Sequence, residues 1–305
     1  MKILITGATG LIGKKLQNLL IQENHTINYL TTDKNKIINS ANIKGFYWNP
    51  KLGLIDKDSI DKVDVIVHLA GASIAKRWTK TYKKEIIDSR IESLKLLYQT
   101  LKNEKNQVSQ IISASGTAIY PDSFSKRYIE KETKIAKGFL SDVVQKWEAC
   151  SNEFRTLNIK VCLVRTGIVY DKNEGALSKI LIPFRLGIGS GFGSGKQMQS
   201  WIHADDIAKL YYFLIQKNAE GIYNAVAPEP VSDKILTETI AKILKKSLFM
   251  PNIPRFIMQF ILGDMCELLF TNKNISSQKA IDEGFIFQYP GIEVALKNIL
   301  KNNFK

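Results

Sequence analysis

The sequence predicts an α/β protein in which a doubly wound parallel sheet carries a smaller C-terminal lobe. Three observations lead there. Short apolar segments rich in β-branched residues alternate with amphipathic helical patterns through the first half of the chain, the pattern of parallel strands joined by crossover helices. The first of these segments runs directly into Thr6-Gly7-Ala8-Thr9-Gly10-Leu11-Ile12-Gly13, a glycine-rich stretch placed at a strand-to-helix turn. A length of 305 residues, at roughly 150 per domain, leaves room for one large domain and an appended lobe.

Taken in order, strands are expected at Lys2 to Ile5, Ile27 to Leu30, Phe46 to Trp48, Val63 to Leu69, Gln110 to Ser113 and Val161 to Arg165, each short and bounded by turn residues. Between them, Ile12, Leu16, Leu19 and Leu20 share one helical face, as do Leu140, Val143, Val144 and Trp147, the spacing of helices packed on a sheet. After Arg165 the pattern changes. Five glycines from Gly187 to Gly195 mark an irregular stretch, Asp205 and Asp206 open a helix, and a last strand is expected at Ile222 to Val226. Pro228, Pro230 and an Asp233 helix start then lead into the terminal lobe. The expected organisation is a nucleotide-binding domain over 1–168, completed by 204–226, with 169–203 and 227–305 forming a substrate lobe.

Composition narrows the function classes. Hydrophobic residues at 45% and charged residues at 24% exclude wholesale disorder, collagen and a disulfide-dense miniprotein. The greasiest run, Phe256 to Leu262, falls far short of the roughly 18 residues of a membrane span. The opening MKILITGATG lacks the apolar core of a signal peptide, so no membrane partner and a cytoplasmic location are expected. Cys150, Cys162 and Cys266 are widely separated and show no metal-site spacing; buried thiols and no metal are expected. The net charge of +14 raises the question of nucleic acid. The lysines are spread along the whole chain without a basic stripe, so no nucleic-acid partner is expected.

The glycine stretch carries the chemistry. Gly7 permits the tight turn, Gly10 lets the backbone approach a pyrophosphate, and Gly13 lets helix and strand pack closely, while the N–H groups at the helix start from Thr9 through Leu11 and Ile12 attract the anion. The second strand ends in Thr31-Thr32-Asp33-Lys34, where an adenosine ribose would lie. No acid stands at Thr31 to repel a 2′-phosphate, and Thr32, Lys34 and Lys36 can donate to one, so NADP is favoured, with NAD possible. His68-Leu69-Ala70-Gly71-Ala72 offers small residues against the cofactor, and His68 is expected in the core.

These residues resemble the extended short-chain dehydrogenase/reductase superfamily, whose Rossmann domain carries TGxxGxxG, here Thr6 to Gly13, and HLAG, here His68 to Gly71. Trp201-Ile202-His203-Ala204-Asp205-Asp206 is similar to that superfamily's Phe-Ile-His-Val-Asp-Asp helix start. More narrowly, Arg77-Trp78, the segment Glu85 to Arg90, Trp147-Glu148-Ala149, Arg165-Thr166-Gly167 and Pro183-Phe184-Arg185-Leu186-Gly187 resemble an atypical epimerase-like branch. That branch ends in a small C-terminal domain of unknown function. The resemblance implies that Glu85, Arg90 and Gly167 also face the cofactor.

The sequence departs from the superfamily where proton transfer is usually performed. The helix that would carry Tyr-x-x-x-Lys reads Phe139-Leu140-Ser141-Asp142-Val143-Val144, without phenol or ammonium. Gln199-Ser200 replaces the Arg-Asp that many nucleotide-sugar epimerases use to hold a diphosphate. Ser115 and Tyr120 are the nearest candidate proton donors; alternatively Ser115 only bonds backbone and Tyr120 only packs. Gly187 to Gly195, Trp201 and the lobe are expected to close a pocket on an unknown small molecule. The two functional readings are an atypical NAD(P)-dependent reductase or epimerase-like enzyme, and a catalytically inactive NADP sensor or interaction protein.

Overall fold

In the computed structural model, which describes residues 1–300, the chain opens with β1 (Lys2–Thr6), α1 (Leu11–Gln22), β2 (Thr26–Thr31), β3 (Ile43–Asn49), β4 (Leu54–Ile55) and β5 (Val65–His68). Next come α2 (Lys80–Asn103), β6 (Gln110–Gly116), α3 (Phe139–Asn152), β7 (Lys160–Thr166), β8 (Ile168–Tyr170), α4 (Gly175–Arg185), β9 (Met198–Gln199) and β10 (Trp201–His203). The remainder is α5 (Ala204–Gln216), β11 (Gly221–Ala225), β12 (Val231–Ser232), α6 (Asp233–Leu244), α7 (Arg255–Leu262), α8 (Glu267–Phe270), α9 (Gln278–Asp282) and α10 (Ile292–Leu300).

Eight strands form one sheet in the order β11-β7-β6-β5-β1-β2-β3-β4, parallel throughout except where β4 turns back against β3. The chain builds outward from β1 through β2 and β3, then returns to place β5 on the other side of β1. That reversal opens a crevice at the carboxyl ends of β1 and β5, the usual ligand position in an open α/β sheet. Register aligns the ends: Thr6 pairs with His68, His68 with Ser113, and Ser115 with Arg165.

The sheet is apolar on both faces because both are covered. On one side Leu16 and Leu20 of α1 and Ile207 and Leu214 of α5 pack on Ile3, Ile5 and Val67; on the other, Leu94 and Leu97 of α2 and Trp147 of α3 pack on Leu4, Ile66 and Ile111. Cys150, Cys162 and Cys266 are buried free thiols. Burial pushes Cys150 up to about 11 and Cys162 up to about 12, so neither is a thiolate at neutral pH.

The lobe has its own core, in which Leu177 and Phe184 of α4, Leu236 and Ile240 of α6 and Leu296 of α10 surround Tyr170 and Trp201. This corrects the expectation for Trp201. It is fully buried, stacks on Tyr170 with ring centroids 5.6 Å apart, and donates its indole N–H to the Glu229 carbonyl at 2.9 Å. It belongs to the core of the lobe. The glycine segment is likewise anchored, since Phe192 N donates to Asp233 Oδ2 at 2.7 Å. The apolar run from Phe256 forms α7, which leaves Phe256 and Phe260 exposed. No helix among the described residues is long and apolar enough to cross a membrane.

Candidate dinucleotide site and the pocket beside it

At the end of β1 the chain turns through Gly7 at φ +68°, a conformation that favours glycine. A Cβ there would lie 2.7 Å from the carbonyl carbon and oxygen of Leu69. At Gly13 a Cβ would lie 2.4 Å from the Gly7 carbonyl oxygen, so α1 meets the turn backbone to backbone. Gly10 differs. Its φ of −83° suits any residue, its Cβ would meet only the Gly7 oxygen at 3.3 Å, and it caps α1 with no side chain on the first N–H groups. The first turn of α1 has no acid, Thr9 and Gly10 are exposed, and Leu11 and Ile12 are half-buried. Free N–H groups and the positive end of the helix dipole therefore face the crevice. Thr6 Oγ1 accepts from Leu69 N and Ala70 N at 3.1 Å each, which clamps the β5 loop beside the turn.

Arg90 reaches this loop from α2. A Cβ on Gly71 would stand 3.0 Å from its Cζ, its Nη1 donates to the carbonyls of Ala72 at 3.1 Å and Ile86 at 2.8 Å, and its plane lies 4.8 Å from the Trp147 ring centroid. Burial pulls its pKa down to about 10, leaving it charged at neutral pH. Glu85 is half-buried earlier on α2; its charge, after burial, helps push the Tyr82 phenol upward, and Tyr82 donates to the Ser73 carbonyl at 2.6 Å. His68 is fully buried, with Nε2 2.8 Å from Ser93 Oγ.

The two threonines at the end of β2 differ. Thr31 is buried, and its hydroxyl accepts from Asp33 N at 3.2 Å, whereas Thr32 is exposed. Asp33 caps the following turn and pairs with Lys36 at 3.5 Å, while Lys34 lies 5.0 Å over the Tyr47 ring. Gly167 sits at a chain crossing where a Cβ would lie 2.3 Å from the Ser200 carbonyl oxygen. The structure thus gathers Gly7, Gly10, Leu69, Ala70, Gly71 and Arg90 at one crevice, and puts Gly167 against Ser200 and Val226.

Ser115 and Tyr120 meet in a network that the sequence did not suggest. Ser115 Oγ donates to Glu148 Oε1 at 2.6 Å; Arg165 grips the same carboxylate through Nε and Nη2 at 2.8 Å each, and its Nη1 donates to Tyr120 Oη at 3.0 Å. Tyr120 in turn donates to Asn224 Oδ1 at 2.8 Å. Burial pushes the Tyr120 phenol upward and Arg165 pulls it back, so it stays protonated at neutral pH. Tyr120, Glu148 and Arg165 line a cavity of about 460 Å³. The available signal was Glu148 on the inner side of an apolar helix, together with Arg165 inside a strand, two charges that need each other once buried.

His203 caps α5, its Nδ1 accepting from Asp205 N at 3.0 Å. Gln199 accepts from Tyr170 Oη at 2.8 Å and donates to Asp233 Oδ1 at 3.1 Å, so its amide is spent inside the lobe. In α3, Phe139 meets Trp78 edge to face and Val143 packs with Trp78 and Ile86. Among the described residues no three His, Cys, Asp or Glu side chains cluster as metal ligands.

The doubly wound sheet and glycine cradle at its switch point define a Rossmann-type dinucleotide-binding protein. The chain belongs to the NAD dependent epimerase/dehydratase family, whose model matches residues 3–226; a domain of unknown function, DUF1731, matches residues 253–299. An epimerase family protein of Staphylococcus aureus (strain NCTC 8325 / PS 47) is 33% identical over 302 residues, covering 98% of each chain. The crystal structure of human epimerase family protein SDR39U1 (isoform 2) with NADPH is 27% identical, with a TM-score of 0.85, and the match covers 99% of this chain and all of that one. A nucleoside-diphosphate sugar epimerase from Corynebacterium glutamicum is 25% identical with a TM-score of 0.79, over 98% of this chain and 58% of that one.

Proposed function

We propose that the protein binds NADPH, with NADH as a weaker alternative, and acts as an atypical reductase or epimerase-like enzyme on a small molecule. The observation that carries this is the cradle of Gly7, Gly10 and Gly13: two positions exclude a Cβ, and the third leaves an uncapped helix N-terminus open to an anion. Leu11 and Ile12 would donate backbone N–H to the pyrophosphate, Thr9 would flank it, and Leu69 to Gly71 would lie along the adenosine side. Thr32, with Thr31 shaping its turn, would approach the ribose, and Glu85, Arg90 and Gly167 would face the nicotinamide half. The similar NADPH-bound human structure supports this choice of cofactor.

Bound NADPH supplies a hydride. The chain must then supply orientation and a proton. Arg90, charged and fixed beside Gly71, would orient an anionic or carbonyl group. Tyr120 and Ser115 are the hydroxyls that could deliver the proton, each by exchanging a bond inside the Glu148–Arg165 network. The test is a screen of NADPH oxidation against carbonyl and enone compounds, with Arg90→Ala, Ser115→Ala and Tyr120→Phe compared on any hit. A hit that all three changes leave intact would discard this assignment.

One observation favours a second reading, an NADP sensor or interaction protein without catalysis. Ser115 and Tyr120 both donate inside a buried network, and α3 offers Phe139 and Val143 near the position of the usual acid and its lysine. Tight NADPH binding with no turnover across the screen would select it.

A further inference from the structure

A second pocket, of about 220 Å³, is explained by neither reading. It is an open pocket lined by the residues leading into α2, the start of α3 and the α7–α8 segment. Its aromatic wall is Trp78 and Phe139, edge to face with centroids 5.3 Å apart, backed by Met265 and Leu268. Four charged groups enter it. Lys83 and Asp264 neutralise each other at 2.7 Å. Arg255 and Glu267 have no ion-pair partner among the described residues, and the Arg255 guanidinium stands 5.8 Å from the Phe270 ring centroid.

Size and chemistry together select a ligand class. An apolar cavity of about 150 Å³ holds benzene, whereas drug-sized ligands occupy about 300–1,000 Å³. One substituted ring fills this volume. The flat rings of Trp78 and Phe139 favour a planar ligand. A free guanidinium matches a carboxylate through paired N–H bonds, and the free Glu267 carboxylate matches a hydroxyl donor. The Gln199 amide, tied to Tyr170 and Asp233, offers a diphosphate nothing.

We infer that this pocket, apart from the cavity that Tyr120 lines with Glu148 and Arg165, is a binding site for a single-ring carboxylate bearing a hydroxyl, anchored by Arg255. The test is ligand-observed NMR titration of the intact protein with 4-hydroxybenzoate, 4-hydroxybenzamide and UDP-glucose, with and without saturating NADPH. The acid is expected to bind about tenfold or more tightly than the amide, in line with a charge-assisted hydrogen bond. Arg255→Gln, a change at an exposed residue, is expected to abolish that difference. UDP-glucose is expected not to compete. Equal binding of acid and amide, an unchanged preference in Arg255→Gln, competition by UDP-glucose, or no binding of the acid would each overturn the inference. Failure of NADPH to bind in the parallel titration would count against the cofactor reading alone, and the acid-versus-amide comparison without cofactor would still report on the pocket.

Discussion

Glu148 and Arg165 form a two-point ion pair, 2.8 Å at both contacts, with almost no exposure of either side chain. The pair joins α3 to β7 and collects the hydroxyls of Ser115 and Tyr120 at the carboxyl end of the sheet. Removing one partner strands a largely buried charge without its counter-ion. Glu148→Gln or Arg165→Met is expected to cost about 3–5 kcal/mol, and the double change Glu148→Gln with Arg165→Met less than the sum of the two. Denaturant unfolding of the three variants checks this; additive losses would show that the two side chains are not coupled.

His68 makes stability depend on pH. Ser93 Oγ lies 2.8 Å from Ser89 O, 2.9 Å from Arg90 O and 2.8 Å from His68 Nε2, so its one proton can go to backbone while its oxygen accepts from the ring. Its Nδ1 is buried without a partner, and burial, with Arg90 adding to it, lowers its pKa to about 3. The unfolded chain binds this proton near pH 6.5 and the folded chain does not. The contribution is therefore intact above about pH 6.5 and is lost as pH falls toward 3, at up to about 1.4 kcal/mol per pH unit. Urea unfolding between pH 7 and 4 should show a shallower pH slope in His68→Gln than in the parent; identical slopes would mean that His68 titrates normally.

Cofactor preference should be modest. Thr32 is exposed at the end of β2 and the nearest acid, Asp33, is engaged in its own turn and with Lys36. No arginine stands at Thr32 to grip a 2′-phosphate in a fork. NADPH is expected to bind a few-fold to about tenfold more tightly than NADH, the scale of one exposed charge contact. Lys34→Ala with Lys36→Ala should weaken NADPH and spare NADH. Equal affinities in the parent protein would place both lysines in solvent.

Much of this was readable from sequence because the relevant signals are local. The main strands and helices follow from apolar runs and helical stripes, and the cradle from glycines at a strand-to-helix turn. Strand edges were less legible: β3 begins at Ile43, ahead of the expected Phe46, because its first residues alternate with polar ones at the sheet's edge. The two-stranded pairings β8–β10 and β9–β12 rest on segments of two or three residues that carry no periodicity. Trp201 was misplaced because a large aromatic beside glycines suits a pocket wall and a core equally until its partner Tyr170 is known. Ser115 and Tyr120 stand out in the sequence as candidate hydroxyls, but their bonds to Glu148, Arg165 and Asn224 depend on contacts across 33 to 104 residues of chain.

The central claim is that the α1 N-terminus receives the cofactor pyrophosphate, and Gly10→Asp tests it most directly. Gly10 has ordinary backbone dihedrals, a Cβ there meets only the Gly7 carbonyl oxygen, tightly, at 3.3 Å, and aspartate is a favoured helix cap that offsets this contact, so the variant should fold and melt near the parent's temperature. The same carboxylate would occupy the anion position and repel a phosphate. Calorimetric titration with NADPH is predicted to show binding in the parent and none in the folded variant. NADPH affinity unchanged in a folded Gly10→Asp protein would contradict the assignment of this cradle.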